Sequence, residues 1–447
     1  MSIVSDTWNK PVRLPEAMPA SANVVIIGGG IVGVSTAWFL ARDGIDVVLC
    51  EKGHVAGEQS SRNWGWIRKQ GRDSRELPMM IESQRIWRRL EEQTGEDVGY
   101  VEGGCYYLAA SQKEVENYES WIPTAREFGL DTRVLCGREL PRHIANPSQA
   151  WPGALYTASD GRAEPHKATA AIARAASRLG ATILTGCAVR GIETEAGRVS
   201  SAVTEHGAIR TSTVLCAGGA WSSMFCRSLG ISLPQLSVKG TVARTAPAPE
   251  ILEGQCFDKR IAIRRRQDGG YTVAHGAGGL THALTPSTLR FAFKFLPALR
   301  KEFGAMGLTI NRDFFTELAT PVCWPLDRAS PFERRRVLDP APSRRTLKAI
   351  RKNLNEVHPV LENTEIVESW AGMVETTPDV VPVMSPQESL PGFFIATGLS
   401  GHGFGIGPGA GKAAAGMLTG QGSGIDISPF RLSRFFDGSP IQLGPTF

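Results

Sequence analysis

Apolar and polar positions recur with two periods along this chain. Residues 24–27 (VVII) and 45–50 (IDVVLC) are short apolar runs suited to buried parallel strands. Between them, residues 31–42 carry a helical pattern that Gly44 stops. The same order returns later: a strand over 154–157, a helix over 166–179 opened by Pro165 and closed by Gly180, and a strand over 181–184. Pro78 opens a further helix with Met80, Ser83, Trp87 and Leu90 on one face. Residues 100–110 read as a strand, and 111–128 as mostly helical with a break at Pro123. Residues 186–193, 199–205 and 208–210 form a small meander, and 213–216 return as a strand ending in Ala217-Gly218-Gly219. From 235 to 359 the pattern changes to alternating strands, a basic amphipathic helix near 287–303 and a charged segment from Phe332 onward. A strand over 393–396 then leads into a second glycine-rich loop and a small-residue helix, TGLSGHGFGIGPGAGKAAAGML.

These elements predict an α/β chain: a Rossmann-like doubly wound domain with a mixed-sheet α+β lobe. The dinucleotide-binding segments are expected at 23–105, 151–234 and 362–425. The substrate domain is expected at 106–150 and 235–361, with tails at 1–22 and 426–447.

The first strand and helix enclose Gly28, Gly30 and Gly33 in G-x-G-x-x-G spacing. The first glycine permits the tight turn, the second lets a pyrophosphate approach the backbone, and the third lets helix and strand pack closely. The helix N-terminus presents free N–H groups to phosphates. Glu51 ends the second strand, 18 residues past Gly33 (33 to 51), where a carboxylate can accept hydrogen bonds from a ribose. It would repel a 2′-phosphate, which disfavours NADP. The loop after Glu51 offers phosphate donors and flat apolar faces together in Ser60, Ser61, Arg62, Asn63, Trp64, Trp66 and Arg68. The seven glycines from Gly398 to Gly411 argue for close backbone approach to a bulky ligand.

Charge and cysteine usage narrow the setting. A net charge of +5 is too small and too scattered for a nucleic-acid binder. The runs Arg264-Arg265-Arg266 and Arg334-Arg335-Arg336 are expected to be solvated loops or a local anion site. The eight cysteines show no C-x-x-C and no metal-ligand spacing. Cys50, Cys187 and Cys216 fall in or beside apolar strands and read as buried thiols of a reducing, cytoplasmic protein. Residues 1–22 lack a signal-peptide pattern, and no apolar run is long enough to span a bilayer. The helix near 287–303 sets Phe291, Phe293 and Phe295 among Arg290 and Lys294. Packing on its own sheet is the first expectation for it, and peripheral membrane contact the second.

In this order the segments VVIIGGGIVGVSTAWFLARDG with VVLCEKG, SSRNWG, GRAEPHKATAAIARAASRLGATILTGCAVRGIE, VLCAGGAWS, SWAGMVETTPDVVP and FFIATGLSGHGFGIGPGAGKAAA resemble the D-amino-acid-oxidase-like family of FAD enzymes. That family includes glycine oxidase, sarcosine oxidase and D-amino-acid dehydrogenases. The likeness is weakest over 241–355. It implies non-covalent FAD, with Gly28, Gly30, Gly33, Glu51 and Lys52 on its ADP half. Ser60, Ser61, Arg62, Asn63 and Trp64 would line the pyrophosphate and the isoalloxazine edge, and Val189 would meet adenine. Ala217, Gly218 and Trp221 would flank the ribose and ribityl chain, with Gly372 near the flavin. Gly401, His402, Gly403, Phe404, Gly405 and Ile406 would form the loop at the pyrimidine edge. The implied chemistry is hydride removal from the carbon beside an amine, giving an imine that hydrolyses. Amino acids, N-methyl amino acids and cyclic imino acids are all compatible donors.

Departures from the family pattern bear on substrate. Where glycine-oxidase-like members place a carboxylate-binding arginine after W-x-G-x, this chain has Val374-Glu375. Where sarcosine-oxidase-like members place a lysine after S-G-H-G-F, it has Gly405. The oxygen-activating lysine of those oxidases falls near Thr272, which tilts the reading toward a dehydrogenase using a quinone or another carrier instead of oxygen. Arg68 is the first candidate for a carboxylate clamp and Arg264 the second. His402 and His275 are weaker acid–base candidates. Two other classes stay open: an NAD(P)H-dependent flavin monooxygenase, which lacks its expected G-D loop here, and a flavin-binding subunit of a larger oxidoreductase.

Overall fold

The computed structural model describes residues 18–145, 150–301 and 306–445. Val24–Ile27 sits inside a six-stranded sheet ordered Val383–Pro386, Phe393–Thr397, Val214–Cys216, Val24–Ile27, Val47–Glu51 and Thr182–Thr185. The neighbours pair in parallel except for the first two, which are antiparallel. Val25, Ile26, Val47, Leu49, Val214 and Leu215 are fully buried, because both sheet faces are covered. One face carries the helices Ile31–Arg42, Leu77–Arg88, Pro165–Arg178 and Gly403–Thr419. The other carries the meander Val189–Glu195, Arg198–Thr204, Gly207–Arg210 and the short helix Ser222–Ser228.

The late glycines serve this packing. A Cβ on Gly407 would meet Ile31 at 2.7 Å, one on Gly409 the Met79 carbonyl at 2.4 Å, and one on Gly411 Ser35 at 2.3 Å. Three of the seven glycines assigned to ligand approach therefore seat the last helix against its neighbours.

The second sheet is larger and mixed. Its order is Met306–Thr309, Leu280–Ala283, Leu236–Thr245, Tyr271–His275, Ile261–Arg265, Gln255–Phe257, Cys105–Ala109, Gly153–Thr157 and Thr132–Cys136, with Ile366–Thr376 also paired to Leu236–Thr245. Its core lies against the helix Arg344–Val357, through Ile350, Leu354 and Val357. By backbone pairing, Gly153–Thr157 and Ile366–Thr376 belong to this sheet, although the expected boundaries put them with the dinucleotide segments. Strand pairing joins residues over a hundred apart, a long-range fact that local pattern does not carry.

The break expected at Pro123 falls just before it: helices Gln112–Glu119 and Ile122–Glu127 flank it, with the proline in the second helix's first turn. The C-terminal segment is docked instead of trailing. Arg434 is buried against Asp379 at 2.9 and 3.0 Å, and Phe430 and Phe435 join the core. Residues 1–17 of the expected N-terminal tail lie outside the described residues, while Ala20 and Ala22 bond to Arg210. Cys50, Cys187 and Cys216 are buried and free. No helix among the described residues is long and apolar enough to cross a membrane. In the helix Pro286–Lys301, Phe291 and Phe295 are buried and Phe293 is exposed.

Candidate functional site

The sheet's C-terminal edge carries a long cleft. At its floor Gly28 has φ +110°, and a Cβ there would lie 2.5 Å from the Ala217 carbonyl. A Cβ on Gly33 would lie 2.0 Å from the Gly28 carbonyl, so the third glycine closes helix on strand. Gly30 is different: a Cβ there would meet only Ser60 Oγ, at 3.2 Å, on the open side of the turn. The Ile31 N–H, in the helix's first turn, donates to that hydroxyl at 2.9 Å. Glu51 accepts from the Gly29 N–H and the Gly53 N–H, both at 2.7 Å, and burial raises its pKa.

Gly28, Gly30, Glu51, Lys52, Ser60, Asn63, Val189, Ala217, Gly218, Trp221, Gly401, Gly403 and Phe404 all line this one cleft. It runs from Glu51 and Val189 at one end to the loop around Gly401 at the other. Glycine turn, helix N-terminus, terminal acid and apolar walls suit an extended dinucleotide.

Other expected residues lie behind the wall. Ser61 Oγ donates to the Glu58 carbonyl at 3.3 Å. Arg62 is buried and holds Asp339 at 2.7 Å and the carbonyls of Ala371 and Gly57 at 3.1 Å each. Trp64 packs edge-on to Trp66, 5.5 Å between centroids. Gly372 faces Gln59, whose Oε1 would be 1.9 Å from an added Cβ. Gly405 and Ile406 belong to the helix interior: the Gly405 carbonyl accepts from Ser83 Oγ at 2.7 Å and Trp87 Nε1 at 2.9 Å, and Ile406 is fully buried. The helix begins at Gly403, so the last four residues of the expected loop, Gly403 to Ile406, are helical.

Beyond the Gly401 end, side chains dominate. His402 Nδ1 lies 3.1 Å from Glu76 Oε2, and burial lowers its pKa. Burial disfavours the Glu76 carboxylate, but His402, Arg72 and Arg68 outweigh this and lower its pKa. Arg72 pairs with Glu76 at 3.4 Å and also reaches the His402 carbonyl. Arg68 stands beside this network with its guanidinium over the Tyr107 ring, 5.6 Å from the centroid. It donates to the Gln70 carbonyl and makes no ion pair among the described residues. Arg264 is unlike it. Its guanidinium is buried and bound in bidentate fashion by Glu164 at 3.0 and 3.2 Å, with Thr272 Oγ1 at 3.0 Å. Those contacts occupy the donors that a substrate carboxylate would need. His275 closes its strand away from the cleft, with Nδ1 buried and unpartnered.

A family model described as "DAO: FAD dependent oxidoreductase" matches residues 23–417. The chain belongs to this family. It is an FAD-dependent oxidoreductase of the DAO fold. It is similar to the glycine oxidase of Geobacillus kaustophilus (strain HTA426), 26% identical over 92% of this chain and 97% of that one. It is also similar to mouse mitochondrial sarcosine dehydrogenase, 25% identical over 94% of this chain. There the chain spans only 42% of the relative's length. Among solved structures, the L-amino acid deaminase from Proteus myxofaciens in complex with anthranilate superposes with a TM-score of 0.90, at 35% identity over 94% of this chain and 95% of that one.

In this DAO-family chain the sequence reading passed over several cleft residues. Glu58 is the main one: its carboxylate accepts from Lys52 Nζ at 3.0 Å, Trp221 Nε1 at 2.9 Å and the Leu338 N–H at 3.1 Å. Its only signal was a place one turn before Ser60-Ser61-Arg62. Phe332, Arg336 and Val337 enter the wall from the far lobe; the Arg334-Arg335-Arg336 run was legible, but not its place at the cleft. Glu375 stands beside the position where the family pattern places a carboxylate-binding arginine. It lines the cleft, and burial above all pushes its pKa up to about 7.

Proposed function

We propose that this DAO-family enzyme oxidises the C–N bond of a small α-amino, N-methyl or cyclic imino acid, with Arg68 as the anchor for the substrate carboxylate. The observation that carries this is the state of Arg68. Arg62, Arg72 and Arg264 are all ion-paired, whereas Arg68 is half-buried without a carboxylate partner, beside the His402 loop. Burial opposes its charge, but Tyr107, Cys105, Asp160 and Glu76 raise its pKa, so it stays a cation. A guanidinium in that state favours a bidentate carboxylate. Tyr107 and Trp66, 6.4 Å apart, would wall the side-chain pocket.

The residues of the cleft fit FAD. Gly28, Gly30, Glu51, Lys52 and Ser60 would hold its ADP half, and Ala217, Gly218, Trp221, Gly401, Gly403 and Phe404 the rest. Bound FAD would supply the hydride acceptor. Glu76 fixes His402 by its Nδ1 and so shapes the loop; no proton transfer needs to be assigned to the ring.

Dehydrogenation with a quinone-type carrier is favoured over oxidase activity. Thr272, at the position the resemblance gives to an oxygen-activating lysine, is a hydroxyl bonded to Arg264 and Arg266. Leu289, Phe293, Ile310, Phe315 and Leu318 are exposed on or beside the touching helices Pro286–Lys301 and Arg312–Ala319, which also carry Arg290, Arg300 and Arg312; this favours peripheral contact with a membrane that holds such a carrier. The test is anaerobic: visible spectra of the purified enzyme are followed while a panel of D-, L-, N-methyl and cyclic imino acids is added. Bleaching by one class fixes the substrate. Slow recolouring in air, with fast recolouring by a soluble quinone, fits a dehydrogenase. Rapid recolouring by air alone contradicts that choice.

A further inference from the structure

The segment from Trp324 to Asp339 leaves the substrate lobe, crosses to the nucleotide-binding lobe and returns. At its near end Trp324 Nε1 donates to the Arg190 carbonyl at 2.8 Å, and Leu326 covers Gly191 so closely that a Cβ would meet its methyl at 2.6 Å. Arg190 grips Glu333 through two nitrogens, at 2.6 and 3.1 Å. Phe332 is buried among Trp221, Phe225 and Trp324, with ring centroids 5.4–5.9 Å away. Past this apolar anchor the contacts become polar. Arg336 binds Glu205 through two nitrogens, at 2.7 and 2.6 Å, and donates to the Lys52 carbonyl at 2.7 Å. Lys52 Nζ returns to the Arg336 carbonyl at 2.6 Å. The Leu338 N–H reaches Glu58, and Asp339 reaches Arg62. Backbone and side chains here press on Gly53, where a Cβ would lie 2.8 Å from the Arg336 carbonyl.

Phe332, Arg336 and Val337 thus form part of the wall of the cleft near Glu51 and Val189. The latch pairs are more open to solvent than the anchor: Arg336 is 38% exposed and Asp339 72%, whereas Phe332 is buried. Each latch pair keeps one partner open to solvent and salt while the other, Glu205 at 11% or Arg62 at 6% exposed, stays in the wall, so this half can lift while Phe332 stays seated.

We propose that residues 332–339 are part of the dinucleotide site: a clasp hinged at Phe332 and latched by Arg336–Glu205 and Asp339–Arg62, which sets how fast the nucleotide cofactor leaves. This rests on the reading of the cleft as an FAD site. It gives the Arg334-Arg335-Arg336 run a task, since its third arginine is the latch.

The test uses FAD-loaded enzyme. Release of FAD is followed by its fluorescence after dilution for the wild type, for the double variant Glu205→Gln/Asp339→Asn, and for Glu96→Gln. The last removes an exposed ion-pair acceptor for Arg174 and Arg178, remote from the cleft. The double variant is expected to release FAD about tenfold faster, with Glu96→Gln at the wild-type rate, and rising salt should narrow the gap. Tryptic nicking at Arg334–Arg336 should be slower with FAD bound than after FAD is stripped. Equal release by the double variant and Glu96→Gln, or nicking indifferent to FAD, overturns the clasp. A wild type that takes up no FAD overturns the cofactor reading itself, and the clasp with it.

Discussion

The cleft and the side-chain cluster beyond its Gly401 end are built on different principles. The Glu51 end is made of backbone: a glycine turn, a helix N-terminus and strand ends, with one carboxylate fixed by two N–H groups. The cluster beyond the Gly401 end is made of side chains, with Arg68, Arg72, Glu76, Tyr107 and His402 brought together from separate elements. Backbone sites tolerate almost no added atom, whereas side-chain sites tolerate exchange while the fold persists. The cleft therefore reads as a family property, and the cluster is where the proposed carboxylate anchor sits.

The sharpest way to break this comparison is Gly33→Ala. Its Cβ would fall 2.0 Å from the Gly28 carbonyl. A loss of about 3 kcal/mol or more in stability is expected, with a colourless protein, measured by urea unfolding and visible absorbance. Next is Glu164→Gln. Glu164 is held well below the usual carboxylate range because Arg264 and Arg266 outweigh its burial. Leaving the Arg264 guanidinium buried without its carboxylate is expected to cost about 3–5 kcal/mol in unfolding free energy. Arg68→Met should behave oppositely: little change in unfolding, but about a 10- to 100-fold loss in kcat/KM for a carboxylate substrate, the weight of a charged hydrogen-bonded anchor. If Arg68→Met unfolds the protein as Glu164→Gln does, the distinction between the two arginines fails.

A smaller effect sharpens the comparison from inside the cleft. Glu375 has its pKa raised to about 7, chiefly by burial. The folded chain then holds a proton that the unfolded chain, with an ordinary carboxylate near 4.5, has already lost. Stability of the FAD-free protein should therefore fall as pH rises from about 4.5 to 7, by on the order of 3 kcal/mol from this group. Glu375→Gln should flatten that part of the curve; an unchanged slope in urea titrations at pH 5 and pH 8 would place the proton elsewhere.

The difference also explains what could be read from the sequence. The turn Gly28–Gly33, the acid at Glu51 and the small residues Ala217-Gly218 were legible because each depends on backbone geometry within a few residues. The late glycines misled in part, since close approach to another helix and close approach to a ligand leave the same trace. Gly407, Gly409 and Gly411 do the first and Gly401 and Gly403 line the cleft. The cleft roles of Glu58, Phe332 and Arg336 were hidden because they depend on pairing with a segment about 280 residues away in sequence, although the Arg334-Arg335-Arg336 run itself stood out. Arg264 and Arg68 looked alike as strand or loop arginines, and only the register that brings Glu164 to one of them separates their roles.

The most direct measurement compares an amino acid that bleaches the flavin with its decarboxylated amine, for wild type and Arg68→Met, by anaerobic stopped-flow reduction. The account predicts that the wild type reduces about 10- to 100-fold more efficiently with the acid, and that Arg68→Met loses this preference while remaining yellow. A wild type indifferent to the carboxylate, or a variant that keeps the preference, would contradict it.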